Sequence, residues 1–316
     1  MKPVILLTGK NGQVGSELLT RLPSLGEVIA PGREQLDLCS PENIRRVIRE
    51  VRPQLIVNAA AYTAVDQAEK DIATARAVNE YAPTLLATEA KKAGAALLHY
   101  STDYVFDGTK RIPYTEADPA NPLSIYGRTK DAGEEAIRRS GAEHLILRTS
   151  WVYATRGRNF LLTILRLATE RQELRIVDDQ IGAPTCAADL AAATCKLLAG
   201  IAKQNDGQFV FSEVSGTYHL TAGGQTSWCD FAHAILRAAQ SGAHAPTWLA
   251  DITKGRPFMV ERLIPISTEE FRAPARRPAF SVLSNSRFLH TFGLALADWR
   301  AQLKQCFVLG SNAAGR

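Results

Sequence analysis

Three side chains in this sequence have the types and spacing needed to move a proton onto or off an oxygen. Tyr126 and Lys130 stand four apart in Tyr126-Gly127-Arg128-Thr129-Lys130, which stacks them on one face of a helix. An ammonium beside a phenol favours the phenolate. Tyrosine needs that help, because its ordinary pKa of about 10 is too high for efficient proton exchange at neutrality. Bringing it close to neutral asks roughly 3–4 kcal/mol of the lysine and any bound cation, at about 1.4 kcal/mol per unit. Thr102, in Ser101-Thr102-Asp103, adds a neutral hydroxyl that can hold a carbonyl oxygen beside the phenol. The chemistry indicated is acid–base work at a carbonyl or alcohol. A Tyr-x-x-x-Lys pair also arises by chance, so its weight comes from the elements that precede it.

Those elements alternate strand and helix. Residues 4–7 are a short, fully apolar run, as expected of a strand buried on both faces of a parallel sheet. It runs into Gly9-Lys10-Asn11-Gly12-Gln13-Val14-Gly15 and a helical pattern through Leu18, Leu19 and Leu22. Glycines at these places permit a tight turn, close approach to a pyrophosphate and close helix packing, while the helix N-terminus offers aligned N–H groups. The first gap is one residue longer than in the commonest dinucleotide fingerprint, but the strand–loop–helix context is the right one. A second strand at 27–30 leads to Pro31-Gly32-Arg33. Arginine there suits the 2′-phosphate of NADPH, with NADH still open, and Asp37 and Leu38 can flank the adenine.

Ser40 and Pro41 start a helix to about residue 52, and a third strand at 54–57 ends in Asn58-Ala59-Ala60-Ala61-Tyr62. Small residues at that carboxyl edge leave room for a cofactor to lie across it. Residues 62–92 read as helical with a break near Asp71, and Asn79 falls on the helix expected to face the cofactor. The fourth strand, 97–100, delivers Ser101, Thr102 and Asp103 to the same edge. A proline-rich loop then leads to the Tyr126 helix and to a fifth strand ending at Arg148-Thr149-Ser150-Trp151. Five alternations predict an α/β fold, a Rossmann-type doubly wound parallel sheet.

Beyond residue 156 the alternation loosens. Helices are expected at 160–170 (Leu161, Ile164, Leu165 and Ala168 on one face), 187–202, from 228 with Ser227 as cap, 284–290 and 298–308. Strands or extended segments are expected at 174–177, 209–211, 217–220, 247–252 and 262–265. Prolines make residues 272–278 a rigid basic loop whose guanidinium groups, Arg276 among them, can grip a diphosphate. The division expected is a dinucleotide domain at 1–151, a smaller α/β substrate lobe at 152–310 and a tail at 311–316.

Composition excludes several classes. The formal charge of +5 forms no basic tract, which argues against a nucleic-acid partner. Five scattered cysteines without a Cys-x-x-Cys pair argue against a disulfide framework or zinc site. No apolar stretch approaches the ~20 residues of a membrane span, so a cytoplasmic protein without a membrane partner is expected.

These residues resemble the extended short-chain dehydrogenase/reductase family and, more narrowly, its dTDP-4-dehydrorhamnose reductase branch. The resemblance runs from Val4 to about Trp299. It rests on the Asn58-to-Asp66 stretch, His99-Tyr100-Ser101-Thr102-Asp103-Tyr104-Val105-Phe106-Asp107-Gly108, the Tyr126–Lys130 motif with Gly133-Glu134, Leu147-Arg148-Thr149-Ser150-Trp151-Val152-Tyr153, Asp179-Gln180-Ile181-Gly182-Ala183-Pro184-Thr185, and Ala275-Arg276-Arg277-Pro278. It implies that Thr102, Tyr126 and Lys130 are the catalytic trio. NADPH would reduce C4 of a dTDP-4-keto-6-deoxy sugar to give dTDP-L-rhamnose for cell-surface polysaccharide. Lys130 would bind the nicotinamide ribose, and Asp103, Tyr104 and Trp151 would shape the sugar pocket, the Trp151 indole against one face of the sugar. The family pattern includes magnesium held by glutamates at a dimer contact. Glu17 matches one such position, but Ala188 stands where another acid is expected, leaving no confident metal site and either a monomer or a homodimer. The other readings are a reductase making a different dTDP-6-deoxyhexose stereoisomer and a non-catalytic NADP-binding regulatory subunit.

Overall fold

The computed structural model describes residues 2–241 and 246–309; the expected tail at 311–316 lies outside the described residues. The chain begins with strand β1 (Val4–Thr8), helix α1 (Gln13–Arg21), strand β2 (Glu27–Ile29), helix α2 (Pro41–Val51) and strand β3 (Leu55–Asn58). Strands β4 (Ala96–Thr102) and β5 (His144–Thr149) follow, and Gly216–His219 pairs parallel with β5. All six form one parallel sheet, in which β1 lies between β2 and β3 and β5 lies between β4 and Gly216–His219. The chain leaves β1 towards β2 on one side and β3 on the other. The crevice at their carboxyl ends is therefore where such sheets bind ligands.

Both faces of the sheet are covered, which is why β1 and β3 are apolar up to their last residue and β4 is buried along its whole length. One face buries Leu7, Val57, Leu98 and Leu147 with Leu18 of α1 and Leu190, Leu197 and Ile201 of the helix Ala187–Gln204. The other buries Leu6, Ile56, Leu97 and Ile146 with Ile44 and Ile48 of α2 and Leu86 of the helix Ala82–Ala93. A second core under the C-terminal lobe gathers Leu161, Leu165, Phe231, Trp299 and Leu303. The break near Asp71 is a real one: Asp71 caps the helix Ile72–Arg76 by accepting from the Thr74 amide.

Two expected extended segments differ. Residues 247–252 are helical, within Thr247–Thr253 behind Pro246. Trp248, Leu249 and Ile252 face the second core there, and Trp248 packs on Phe307 with ring centroids 5.1 Å apart. Residues 209–211 form no strand. Phe209 and Phe211 are buried in the main core, but the Phe211 amide donates to Glu143 Oε2 at 2.7 Å instead of joining a ladder.

Candidate active site

The glycine loop is shaped by what leaves no room for a Cβ. Gly9 has φ +75°, and a Cβ there would sit 2.6 Å from the Ala60 nitrogen. At Gly15 it would sit 2.0 Å from the Gly9 carbonyl oxygen, so this glycine seats α1 against the loop. Gly12 caps α1 with no side chain of its own, leaving the first amides of α1 open. A cavity of about 590 Å³ lies beside this loop, bounded by Gly9, Asn11, Gly12, Arg33, Asp37, Leu38, Ala60, Ala61 and Tyr62. A second, of about 640 Å³, shares Gly9, Asn11, Gly12, Ala60 and Ala61 with it. Gln13, Val14, Ala59, Thr102, Asp103, Tyr104, Tyr126, Lys130 and Trp151 line this second cavity. The two make one groove along the sheet's carboxyl edge, with a backbone cradle at its middle that suits a dinucleotide.

Local structure explains how the trio reaches that groove. Ser124 caps the helix Ile125–Ser140 by accepting from the Gly127 amide, and the Ile125 amide donates to Glu69 Oε1 at 2.8 Å. A Cβ at Gly127 would lie 2.2 Å from the Tyr104 carbonyl oxygen and one at Gly133 2.1 Å from that of Asn79. The helix is therefore pressed against both segments, and Tyr126 meets Tyr104 edge to face with centroids 5.4 Å apart. Thr102 ends β4; its Oγ1 accepts from the Tyr104 amide at 3.2 Å and donates to Asp103 Oδ1 at 3.1 Å. It also hydrogen-bonds the Tyr126 hydroxyl.

The electrostatics depart from expectation in one respect. Burial pushes the Tyr126 hydroxyl up to about 12, against a smaller lowering by its bond to Thr102. Lys130 does not counter this, because its ammonium position is fixed elsewhere: Nζ donates to the Tyr100 carbonyl at 2.7 Å and meets His99 Nε2 at 3.1 Å. Burial lowers Lys130 to about 8, opposed by the charge of Glu134 one turn on. Asp103 is raised to about 7 by burial, and its Oδ2 has no partner.

The profile of the family described as RmlD substrate binding domain matches residues 1–310. A dTDP-4-dehydrorhamnose reductase of Burkholderia thailandensis is 47% identical over 303 residues, covering 96% of this chain and 97% of that one. The chain belongs to the dTDP-4-dehydrorhamnose reductase family. The Escherichia coli K12 member is 42% identical, over 95% of this chain and 96% of its own. The crystal structure of the Bacillus anthracis dTDP-4-dehydrorhamnose reductase in complex with NADP is 35% identical, with a TM-score of 0.83 over 98% of this chain and 100% of that one.

Not every residue expected at the site of this reductase-family chain reaches the groove. Asn79 is fully buried behind it, accepting from the Tyr62 amide at 2.8 Å and donating to the Tyr62 carbonyl and Thr129 Oγ1. It shapes the Ala59–Tyr62 turn and lines neither cavity. Arg276 is exposed and also lines neither. Its neighbour Arg277 points inward, to Asp66 Oδ2 at 2.8 Å and to the Tyr104 hydroxyl. Glu17 is paired with Arg21 and Arg156, and no group of three or more His, Cys, Asp or Glu able to hold a metal occurs among the described residues. This chain alone offers such an ion the single carboxylate of Glu17, already paired with two guanidinium groups.

Two residues of the site carried no signal as site residues in the sequence. Trp228 lines the larger cavity and stacks on Trp151, with centroids 3.5 Å apart and planes 5° from parallel. One face of the indole expected against the sugar is thus already covered. His99 is fully buried behind Lys130. Nothing local marks either, since each finds its partner from a distant element.

Proposed function

We propose that this chain is an NADPH-dependent reductase that turns the C4 ketone of dTDP-4-dehydro-L-rhamnose into the hydroxyl of dTDP-L-rhamnose. The observation that carries this reading is the meeting of Thr102, Tyr126 and Lys130 on one cavity continuous with the glycine-loop groove. Similarity over nearly the whole chain to dTDP-4-dehydrorhamnose reductases, one of them bound to NADP, supplies the substrate and cofactor class.

NADPH, when bound, supplies the hydride. The residues of this chain do the rest. Gly9, Asn11, Gly12, Gln13 and Val14 hold the pyrophosphate at the start of α1, with Gly15 seating the helix. Arg33 receives the 2′-phosphate, Asp37 and Leu38 flank the adenine, and Ala59 to Tyr62 form the floor. Tyr126, protonated throughout the neutral range because burial raises it, gives its proton to the nascent C4 alkoxide. Thr102 holds the same oxygen. Lys130 titrates near working pH, so it can pass a proton on and take one back, and it is placed to hold the nicotinamide ribose. Asp103, Tyr104 and Trp151 shape the sugar pocket, and the diphosphate, extending beyond the two cavities, falls to the basic loop at 272–278, where Arg276 is an exposed guanidinium.

On this reading residues 1–151 mainly serve NADPH and residues 152–310 the dTDP-sugar, in a cytoplasmic monomer or homodimer. The retained trio disfavours a silent regulatory subunit. The test is NADPH oxidation with dTDP-4-dehydro-L-rhamnose, followed by NMR of the product. The L-rhamno configuration at C4 is expected. No oxidation, or the opposite C4 configuration, would overturn the reading.

A further inference from the structure

Behind the groove a buried file of side chains runs from the glycine-loop strand to Lys130. Thr8 Oγ1 donates to Asn58 Oδ1 at 2.6 Å, and the Ala60 amide donates to the same oxygen at 3.3 Å. Asn58 Nδ2 lies 2.9 Å from His99 Nδ1, and His99 Nε2 lies 3.1 Å from Lys130 Nζ. Thr8, Asn58, His99 and Lys130 are each at most 2% exposed.

The direction of this file can be read from its donors. A backbone amide can only donate, so the Asn58 atom it meets is the carbonyl oxygen, and the atom facing His99 is the NH2. That NH2 donates to Nδ1. A neutral imidazole accepting at Nδ1 carries its proton on Nε2, so an N–H points at the Lys130 nitrogen. An ammonium has no lone pair with which to receive it, whereas an amine has one and can still donate to the Tyr100 carbonyl.

We propose that His99 is a positioning residue for Lys130, turning an N–H toward the lysine nitrogen and biasing it to the neutral amine. The charges around Lys130 agree. Glu134, on its own helix, is committed to Arg148 of β5 by bonds of 2.6 to 3.1 Å and to Arg138 at 3.0 Å, which blunts its support for an ammonium. His99 is held well below its ordinary value chiefly by burial, so it stays neutral. Tyr126, one turn back, and Asp103 beyond it are protonated or close to it near neutrality. On the reading of Lys130 as a catalytic group, the bias makes it a readier proton donor, because the amine left after donation is met by a hydrogen bond.

The inference is tested on the full chain without substrate, so it can fail or stand apart from the assigned reaction. In long-range proton–nitrogen spectra of histidine-labelled protein, His99 (assigned by loss of its signals in His99→Gln) is expected protonated at Nε2 and bare at Nδ1. A proton on Nδ1 would overturn the proposal. The Lys130 titration, followed through its labelled Cε methylene, gives the second reading. Asn58→Asp puts an acceptor opposite Nδ1 and reverses the file, and His99→Gln offers a carbonyl to Nζ with no new charge. Each is expected to raise the Lys130 midpoint by about one unit, a tenfold change in acid constant. A rise in Asn58→Asp alone would assign the effect to added charge and refute the proposal, as would no rise in either. The wild-type tautomer and the His99→Gln titration decide the matter even if Asn58→Asp does not fold.

Discussion

Trp151 and Trp228 stack ring on ring at the cavity that Thr102, Tyr126 and Lys130 line, their centroids 3.5 Å apart. Trp151 holds this pose with φ +47°, a conformation unfavourable for a bulky side chain, over Gly182, where a Cβ would come within 2.4 Å of the indole. Trp228 adds a second hold through Nε1, which donates to Gln180 Oε1 at 3.2 Å. Removing it frees the Trp151 indole to rotate.

Trp228→Ala is therefore expected to raise KM for the dTDP-sugar roughly two- to tenfold, the range an aromatic pair is worth, while the NADPH dissociation constant stays the same. Steady-state kinetics together with a fluorescence titration of NADPH separate the two. A loss of NADPH affinity as large as the loss of sugar affinity would remove Trp228 from the sugar side.

Tyr126→Phe deletes the proposed proton donor and leaves the Tyr104 edge-to-face contact in place. A fall in kcat of about 10²–10⁴-fold is expected, with NADPH binding nearly intact. Near-normal turnover would show that another group protonates the alkoxide.

Arg33 borders the smaller cavity beside the glycine loop, apart from the trio, where the proposed function places the adenine end of NADPH. A charge-assisted bond to a 2′-phosphate is worth about 1.5–3 kcal/mol, so Arg33→Ala should weaken NADPH binding roughly 10- to 100-fold and leave NADH almost unchanged. Equal losses for both nucleotides would refute its assignment.

Asp103 gives the protein a pH-dependent weakness. Burial lifts its carboxyl from 3.8 in the unfolded chain to about 7 in the fold. Between those values the unfolded chain has released a proton that the folded chain keeps, so stability falls as pH rises through this window. Asp103→Asn mimics the protonated form and removes the loss. Its Tm should exceed that of the wild type by more at pH 8 than at pH 5. A difference independent of pH would mean that the carboxyl is already ionised in the folded protein at pH 5.

Features written into short stretches were legible in the sequence. The tight loop at Gly9, Gly12 and Gly15 was legible because the clashes these glycines avoid lie within one turn and one neighbouring strand. That Thr102, Tyr126 and Lys130 would face one cavity was legible because a helix and a strand end fix their directions. What escaped depends on partners far along the chain. The file from Thr8 through Asn58 and His99 to Lys130 crosses three strands and a helix, and no local pattern announces it. Trp228 and Arg277 acquire meaning only beside Trp151 and Tyr104. Asn79 and Arg276 failed to reach the groove for a related reason: sequence places a residue on an element but does not say which backbone its amide satisfies or which way a loop guanidinium turns. The helix Thr247–Thr253 was misread because Trp248, Leu249 and Ile252 suit a buried strand as well as a short helix until Phe307 is in view.

The outermost strand of the main sheet, Gly216–His219, is supplied long after the five that precede it. Until the ribosome has released that segment, β5 presents an unpaired row of amides and carbonyls flanked by apolar side chains, a template for joining another chain. A fragment ending at residue 151 would keep the trio and the glycine loop yet carry this open seam for good. It should associate through β5, while a circularly permuted chain that retains Gly216–His219 should remain dispersed.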